Sequence, residues 1–290
     1  MIKDTLENLI KAVTNTPYSE NLLAASQEYN QYNGDIFDDD KSYENRMSLF
    51  LEWYIFEYID PTSDKTVLEL IIKNDKKIPP DILKTISSFV SNVHALFIIK
   101  KLKKKSVRVL NLFNNEQYDV VEPLEKFNFC KNSIFEGRLL SYKNSYYFTG
   151  IFCFHPDGSK IFIKNEIKKN LTIEKSNINI LNDKKKKLSA ETKKLNKTIV
   201  DIKKIQLKLK CSKSDKKKIE LKLKLSKMES IKVFYEDSCS SLTKEISLFN
   251  KEKIIHGKKL NQTLLMFKLS SMKLLFERSR NIQINDIYKN

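Results

Sequence analysis

Apolar side chains recur every three or four residues through most of residues 1–95, which is the spacing of one face of an α-helix. In the first helical stretch this apolar face consists of Leu6, Leu9, Ile10 and Val13. The pattern predicts a domain of several packed helices at the start of the sequence.

The stretch DDDKSYENRMSLFLEWYIFEYI predicts the central helix of that domain, because it is amphipathic and rich in aromatic residues. Asp39, Asp40 or Ser42 could cap its start, and Asp60 before Pro61 would end it, since proline disfavours helix in the preceding residue. TVLELII and PPDILKTISSFVSNVHALF predict two further helices, the second beginning at Pro79 and Pro80.

From about residue 96 to residue 165 the apolar period changes to two, which is typical of β-strands. The runs SVRVLNLF, QYDVV, FEGRLLSY and SYYFTGIFCF are short and rich in β-branched and aromatic residues. Turn signals such as Pro156-Asp157-Gly158 separate them. The pattern predicts a small antiparallel barrel or a strongly bent sheet.

Residues 166–280 contain no proline and return to helical spacing, with apolar residues at intervals of seven: Leu181, Leu188, Leu195, Ile202 and Leu209. Residues 212–215 interrupt this pattern, and Ser214 or Asp215 can cap a new helix. We therefore predict a long antiparallel helical hairpin with a coiled-coil seam. The fold class is α+β, with a helical domain at 1–95, a small β domain at 96–165, and a lysine-rich helical hairpin with a C-terminal helix at 166–290.

The net charge of +17 is unevenly distributed along the chain. Residues 1–96 carry −7, residues 97–165 carry +6 and residues 166–290 carry +18. The highest density lies in residues 202–227, IKKIQLKLKCSKSDKKKIELKLKLSK, which contain eleven lysines and two acidic residues. We call residues 202–227 the tip segment. Such a basic segment indicates an acidic partner.

One hypothesis is a non-enzymatic protein that associates with RNA, the ribosome or DNA, because clustered lysines neutralise phosphates. The tip segment has no arginine or aromatic residue with which to read bases, so binding would tolerate any sequence. A second, weaker basic site is predicted in the β domain, where Lys101, Lys103, Lys104 and Lys105 could lie near Tyr146, Tyr147 and Phe148. The candidate phosphate contacts are Lys203, Lys204, Lys208, Lys210, Lys213, Lys216, Lys217, Lys218, Lys222, Lys224, Lys101, Lys103, Lys104 and Lys105.

The alternative hypothesis is a coiled-coil interaction scaffold or homo-oligomer, in which the lysines form a solvated face. The two hypotheses differ in what they require of the hairpin. A seam that is fully buried within one chain favours nucleic-acid binding, whereas leftover apolar faces on the hairpin favour a helical protein partner or self-association.

Catalytic and metal-binding signatures are scarce. Four cysteines are widely spaced, the chain has three histidines, and no phosphate-binding loop, dinucleotide fingerprint or nucleophile elbow occurs. We therefore expect no enzyme activity, no cofactor and no metal. If a catalytic site existed, His155, Glu136 and Arg138 would be its candidates. Acidic residues in the first ten positions and the lack of a long apolar run predict a cytoplasmic protein without membrane insertion.

Two regions of the sequence contain distinctive stretches: SQEYNQYNGDIFDDDKSYENRMSLFLEWYIFEY with HALFIIKKL, IFEGRLL and FHP in the first, and FERSRNIQINDIY in the second. These stretches resemble an uncharacterised protein family of predatory and fruiting delta-type bacteria. The resemblance covers about residues 20–165 and 262–290 and implies the same domain layout, without an activity. It also implies that Phe50–Trp53 and Glu277–Arg280 are packing or interaction elements. The matching residues of the first stretch are Glu44, Arg46, Met47, Phe50, Leu51, Glu52, Trp53 and Tyr54.

Overall fold

A computed structural model describes residues 2–74, 78–121, 129–279 and 281–289. The chain divides into two compact units, one formed by residues 1–169 with 262–290 and the other by residues 170–261. The α+β class predicted from the sequence is confirmed, with helices first, a barrel next and two long helices after it. The three-domain division at residues 95 and 165 stays a prediction.

The first helices pack around a central one, as the aromatic pattern predicts. Trp53, Tyr54 and Ile55 of this central helix are buried in the main apolar core of the first unit. Ser42 precedes it at the N-cap position. The helices before the barrel are α1 (Ile2–Val13), α2 (Leu22–Asn33), α3 (Tyr43–Phe56), α4 (Val67–Asn74) and α5 (Pro80–Ser88).

Two predicted helix ends were wrong. Helix α3 ends at Phe56 rather than at Asp60, because the chain there enters a short antiparallel pair, β1 (Ile59–Asp60) and β2 (Lys65–Thr66). The helix predicted through VSNVHALF ends at Ser88, and strand β3 (Val93–Leu102) takes up the remainder. Six consecutive backbone pairings with a later strand hold β3 extended, and this long-range pairing overrides the local helical spacing.

A closed five-stranded barrel follows, in the order β3-β4-β5-β7-β6. Its neighbouring strands are antiparallel except for β5 and β7, which run parallel, so the predicted all-antiparallel barrel needs this correction. Buried aromatic rings fill the interior; Phe135 lies 5.7 Å from Phe97 and 6.1 Å from Phe148, between ring centroids. The other strands are β4 (Ser106–Asn111), β5 (Gln117–Val121), β6 (Ile134–Tyr142) and β7 (Ser145–Phe154).

The rest of the chain is helical. Helix α6 (Lys160–Cys211) precedes α7 (Asp215–Phe249), and a π-helical segment (Asn250–His256), which the sequence pattern did not predict, leads into α8 (Gly257–Arg278). A short helix α9 (Ile284–Ile287) follows. Among the described residues, no helix is both long enough and apolar enough to cross a membrane.

Helix α8 packs against the first helices through its middle part. The ring of Phe267 lies 5.2 Å from that of Tyr29 and 6.0 Å from that of Trp53. The C-terminal end of α8 contacts the start of α3 and the residues just before it: Ser42 donates a hydrogen bond to Glu277 at 2.7 Å, and Arg278 pairs with Asp40 at 2.5 Å. These bonds join residues 277 and 278 to Ser42 and Asp40, and not to Phe50–Trp53. Arg280 lies outside the described residues.

Within the second unit, α6 and α7 pair in antiparallel fashion. Asn170 donates a hydrogen bond to the carbonyl of Asn261 at 3.1 Å at one end of the unit. Further along, Lys184 pairs with Glu245, and Oγ1 of Thr192 lies 3.8 Å from Sγ of Cys239. As the α6 residue number rises, the α7 partner number falls, which confirms the predicted hairpin. The connection lies between Cys211 and Asp215, where the sequence pattern is interrupted.

Candidate functional site

The lysines of the tip segment are exposed and mostly lack acidic partners. Lys204 lies 3.5 Å from Asp201, and Lys218 lies 3.5 Å from Asp215. Within the described residues, the other nine have no carboxylate within 4.0 Å, and all nine are exposed. These nine are Lys203, Lys208, Lys210, Lys213, Lys216, Lys217, Lys222, Lys224 and Lys227. The segment therefore presents positive charge that the hairpin itself leaves largely uncompensated.

Nearer residues 170 and 261, the hairpin compensates more of its charge internally. Lys184 of α6 pairs with Glu245 of α7, and Lys258 pairs with Glu174 at 3.2 Å. Because these pairs link residues far apart in sequence, they hold the two helical arms in register. The second unit as a whole carries 25 lysines and 11 acidic residues, a net charge of +14.

Helix α7 carries a second apolar surface besides the one that faces α6. Its seam side includes Leu221, Leu225 and Met228, which are half-buried. We call the exposed residues Ile219, Leu223 and Phe234 the outer strip; their exposed fractions are 69%, 60% and 66%. Residues two positions apart lie about 200° apart around a helix, so Ile219 and Leu223 point away from the seam side.

The outer strip is the leftover apolar face that separates the two hypotheses drawn from the sequence. No residue of α7 is fully buried. A two-helix hairpin needs one apolar seam per helix, and the outer strip lies outside that seam. The helical spacing of the sequence predicts one continuous apolar face that includes Ile219, Phe234 and either Leu223 or Leu225. The exposure of Ile219, Leu223 and Phe234 shows that these three lie outside the seam.

The second predicted basic site lies at the turn between β3 and β4. Lys101, Lys104 and Lys105 are exposed, but Lys103 donates a hydrogen bond to Asp119 at 2.8 Å. Arg108 binds the same carboxylate through two nitrogens, at 2.9 and 2.6 Å. Hydrogen bonds from Arg108 and then Lys103 hold the pKa of Asp119 well below its usual range. Part of this positive charge is thus already compensated.

The neighbouring aromatic residues do not form an open stacking surface. Phe148 is buried in the barrel, with its ring 5.3 Å from that of Phe152. Tyr146 is half-buried and packs edge-on against Tyr118, with ring centroids 4.9 Å apart. Tyr147 is also half-buried. The side chains therefore serve mainly in packing, in contrast to the stacked rings that bind single-stranded nucleic acid.

A different group of charged residues is buried in the first unit, and sequence analysis did not predict its assembly. We call it the ionic cluster: Glu52 in α3, Glu57 directly after α3, His94 on β3, and Glu136 and Arg138 on β6. Their side chains are between 1% and 11% exposed. Glu136 and Arg138 lie two residues apart on one strand and therefore share a face. His94 stands opposite Arg138 in the strand register.

The members of the ionic cluster are joined by short contacts. His94 Nδ1 lies 2.6 Å from Oε1 of Glu57, and its Nε2 lies 3.1 Å from Oε1 of Glu136. Arg138 donates hydrogen bonds at 2.5 Å to Glu57 and to Asn92. The Arg138 guanidinium also lies 4.7 Å above the ring of Phe56. The cluster thereby fastens the end of α3 to two strands of the barrel.

The pKa values in the cluster reflect burial opposed by charge pairing. Burial favours neutral His94, but the Glu57 carboxylate and hydrogen bonds with Glu136 and Glu57 outweigh it and raise the pKa of His94 to about 9. Burial also acts to raise the pKa of Glu57, yet His94 and Arg138 hold it well below its usual range. For Glu52, burial exceeds the attraction of Arg138 and raises the pKa to about 7. His94 and Glu57 are therefore an ion pair at neutral pH.

The three residues proposed from the sequence for a catalytic site, His155, Glu136 and Arg138, do not all lie together. Glu136 and Arg138 belong to the ionic cluster, whereas His155 makes no side-chain hydrogen bond within the described residues. Burial lowers the pKa of His155 to about 4, so its ring is neutral near pH 7. Across the described ranges, no group of three or more His, Cys, Asp or Glu residues is arranged to hold a metal ion.

Comparison with known proteins places most of the chain in one family. Residues 1–199 match the model of a family described as a family of unknown function, DUF7986. All five residues of the ionic cluster lie within the matched range, and the tip segment lies beyond it. No curated protein and no solved structure matches the chain.

Proposed function

The chain belongs to this family of unknown function, and from its geometry we propose that it is a non-enzymatic binding protein whose hairpin docks onto a helix of a partner. The observation that carries this proposal is the exposed outer strip of α7. Ile219 and Leu223 lie one turn apart, Phe234 lies about three turns further along the same helix face, and the three are 60% to 69% exposed. A helix that is apolar on two sides is stabilised when both sides are covered.

The charges around the outer strip specify the chemistry of the partner. Lys216 and Lys222 lie three residues before and after Ile219 and so adjoin it on the helix surface. Both are exposed, and neither has an ion-pair partner among the described residues. An amphipathic helix with acidic residues beside its apolar face would pair with this surface. We place the protein in the cytoplasm as part of the same proposal.

Nucleic-acid binding is the second candidate, supported by the nine exposed lysines of the tip segment that have no acidic partner among the described residues. Each phosphate that a lysine neutralises releases counterions, so the affinity would fall steeply with salt. The segment offers point charges without aromatic stacking groups, which favours contact with the phosphate backbone over recognition of bases. Structured RNA and duplex DNA are therefore equivalent test ligands.

The two candidates can be separated with two variants of the full chain. In the strip variant, Ile219, Leu223 and Phe234 are changed to Ser; in the charge variant, Lys216, Lys217, Lys218, Lys222 and Lys224 are changed to Gln. Fluorescence anisotropy would measure binding to an acidic amphipathic model helix and to structured RNA, at about 50 and 200 mM salt. We expect the strip variant to lose helix binding by at least tenfold while it retains any RNA binding.

Matched controls use other exposed positions on the hairpin. The strip control changes Ile173, Ile178 and Ile180 to Ser, and these are 43% to 48% exposed. The charge control, with the same change in net charge, replaces the exposed residues Lys185, Lys187, Lys193, Lys251 and Lys253 with Gln. Helix binding that the strip variant keeps would contradict the docking proposal. RNA binding lost only in the charge variant would establish the second candidate.

A further inference from the structure

The proposed docking function does not specify the partner helix. The distribution of charge along α7 restricts which helices can pair with it. Residues 215–227 of α7 contain six lysines and two acidic residues, a net charge of +4. Residues 228–249 contain two lysines and four acidic residues, a net charge of −2. One helix therefore carries both a basic half and an acidic half, and the outer strip crosses the boundary between them.

We propose that the helix covering the outer strip is α7 of a second copy of this chain, packed in antiparallel orientation. This inference rests on the proposed docking function and adds the partner to it. Antiparallel packing places the basic half of each α7 against the acidic half of the other. Parallel packing would place the two basic halves together, and like charges brought together oppose association.

The positions of the apolar residues fit the same arrangement. When Ile219 lies opposite Phe234 of a second copy, Leu223 lies opposite Ser230, and Phe234 lies opposite Ile219 in return. The largest exposed apolar side chains then cover one another at both ends of the contact, as a two-fold symmetric interface requires. Lys216, which adjoins Ile219, then lies opposite Asp237, which adjoins Phe234, and Glu229 and Glu236 lie on the same stretch of α7; all three acidic residues are exposed.

The other long helix of a second copy is a poorer partner. Residues 170–211 of α6 contain twelve lysines and four acidic residues, a net charge of +8. That helix is basic along most of its length and has no acidic half to meet the tip segment. Of the two helices of the hairpin, only α7 carries the complementary halves.

The test is the molar mass of the full chain in solution, measured by light scattering over a range of concentrations. We expect the mass to rise from 34.1 kDa towards twice that value in a concentration-dependent way. The strip variant is expected to stay monomeric, whereas the control with Ile173, Ile178 and Ile180 changed to Ser is expected to dimerise. Since the strip residues are exposed, their replacement removes no core contact, and circular dichroism would verify folding.

A charge exchange tests whether the complementary halves of α7 hold the two copies together. One variant carries Lys216→Glu, Lys222→Glu and Lys227→Glu, which makes both halves of α7 acidic. The other carries Glu229→Lys, Glu236→Lys and Asp237→Lys, which makes both halves basic. Each variant alone is expected to be monomeric, and a one-to-one mixture is expected to form a heterodimer. Misfolding could not produce such a rescue on mixing.

The outcomes separate this inference from the function on which it rests. A wild-type chain that stays monomeric but binds the acidic model helix through the outer strip would overturn self-pairing and retain the docking function. A monomeric chain that binds no helix would overturn both. A dimer that is unaffected by the strip variant and by both charge variants would also overturn the inference, because another surface would then be responsible.

Discussion

The two units of this protein use charged residues in opposite ways. In the first unit, five ionisable side chains of the ionic cluster are buried and contact one another. In the second unit, the nine tip lysines without acidic partners are exposed. A buried charge is tolerated only with partners, so the members of the cluster depend on one another. An exposed lysine is solvated, so each is free to meet another molecule.

Because of this difference, we expect mutations in the ionic cluster to affect stability and mutations of the tip lysines to affect binding. Removal of one member of the ionic cluster leaves the other charges buried and uncompensated, which destabilises the fold. Removal of the tip lysines without acidic partners breaks no ion pair among the described residues, so it is expected to change mainly what the surface attracts. The predictions below test this contrast, beginning with the largest effect on stability.

The largest expected effect comes from Arg138→Met, a change of similar volume without the charge. Arg138 is 1% exposed and donates hydrogen bonds to Glu57 and Asn92. Its loss leaves the Glu57 carboxylate less compensated, and we expect the free energy of unfolding to fall by about 3–5 kcal/mol. Urea unfolding would measure the change.

Arg108→Met provides a matched control for that experiment, because Arg108 lies on the same barrel and binds Asp119 at the surface. We expect a much smaller loss, since solvent screens a surface pair. Equal effects of the two replacements would show that burial does not distinguish the cluster from an ordinary surface ion pair.

The next effect is a dependence of stability on pH above neutrality. The pKa of His94 is about 9 in the folded chain against 6.5 as its ordinary value. The folded state therefore keeps a proton that the unfolded state loses, so the stabilisation is complete below about pH 6.5. It is lost as the pH rises through about 9. We expect the free energy of unfolding to fall between pH 7.5 and 9.

The His94→Gln variant checks the origin of this pH dependence. The chosen window lies above the pKa of about 7 of Glu52 and ends at 9, the ordinary pKa of a cysteine. The contribution of Cys153, whose pKa burial raises to about 12, falls mainly above this window. Urea unfolding at pH 7.5 and 9 should show a weaker decline in the variant than in the wild type. The same decline in both would assign the effect to other groups.

The smallest effect on stability is expected from the charge variant, in which five tip lysines become Gln. These exposed side chains make few internal contacts, and Lys218 has only its exposed pair with Asp215. Fewer positive charges also reduce repulsion within the tip segment, so the urea midpoint should stay unchanged or rise slightly. A marked decrease would mean that the tip lysines support the fold, and the contrast between the units would fail.

Much of the architecture follows from patterns that a short stretch of sequence carries. The aromatic face of α3, the alternation in SYYFTGIFCF and the interruption at residues 212–215 each indicate their element without distant contacts. The ends of the helices and strands were less predictable. Val93 and His94 continue a helical spacing in the sequence, yet they are strand residues because β6 supplies their hydrogen-bond partners.

The candidate site was also predictable only in part, because local sequence patterns are visible in the sequence and distant contacts are not. Tip lysines were identified from the sequence, since a dense run of lysines has few ways to be buried. The outer strip was not separated from the seam, because that distinction depends on where α6 lies. Glu136 and Arg138 were named for another role, and their link to Glu57 and His94 was missed. No local signal tells which charged residues will be buried together.

The class of each segment, the hairpin and its positive charge can be derived from local sequence, because helical period, strand alternation and net charge are properties of neighbouring residues. Which charges compensate one another, and which apolar residues stay uncovered, depends on the folded arrangement of the chain. Arg138 and Glu57 are 81 positions apart, and they meet because the barrel packs β6 beside the end of α3. Such pairings depend on the distance between side chains in the folded chain, which spacing in the sequence does not specify.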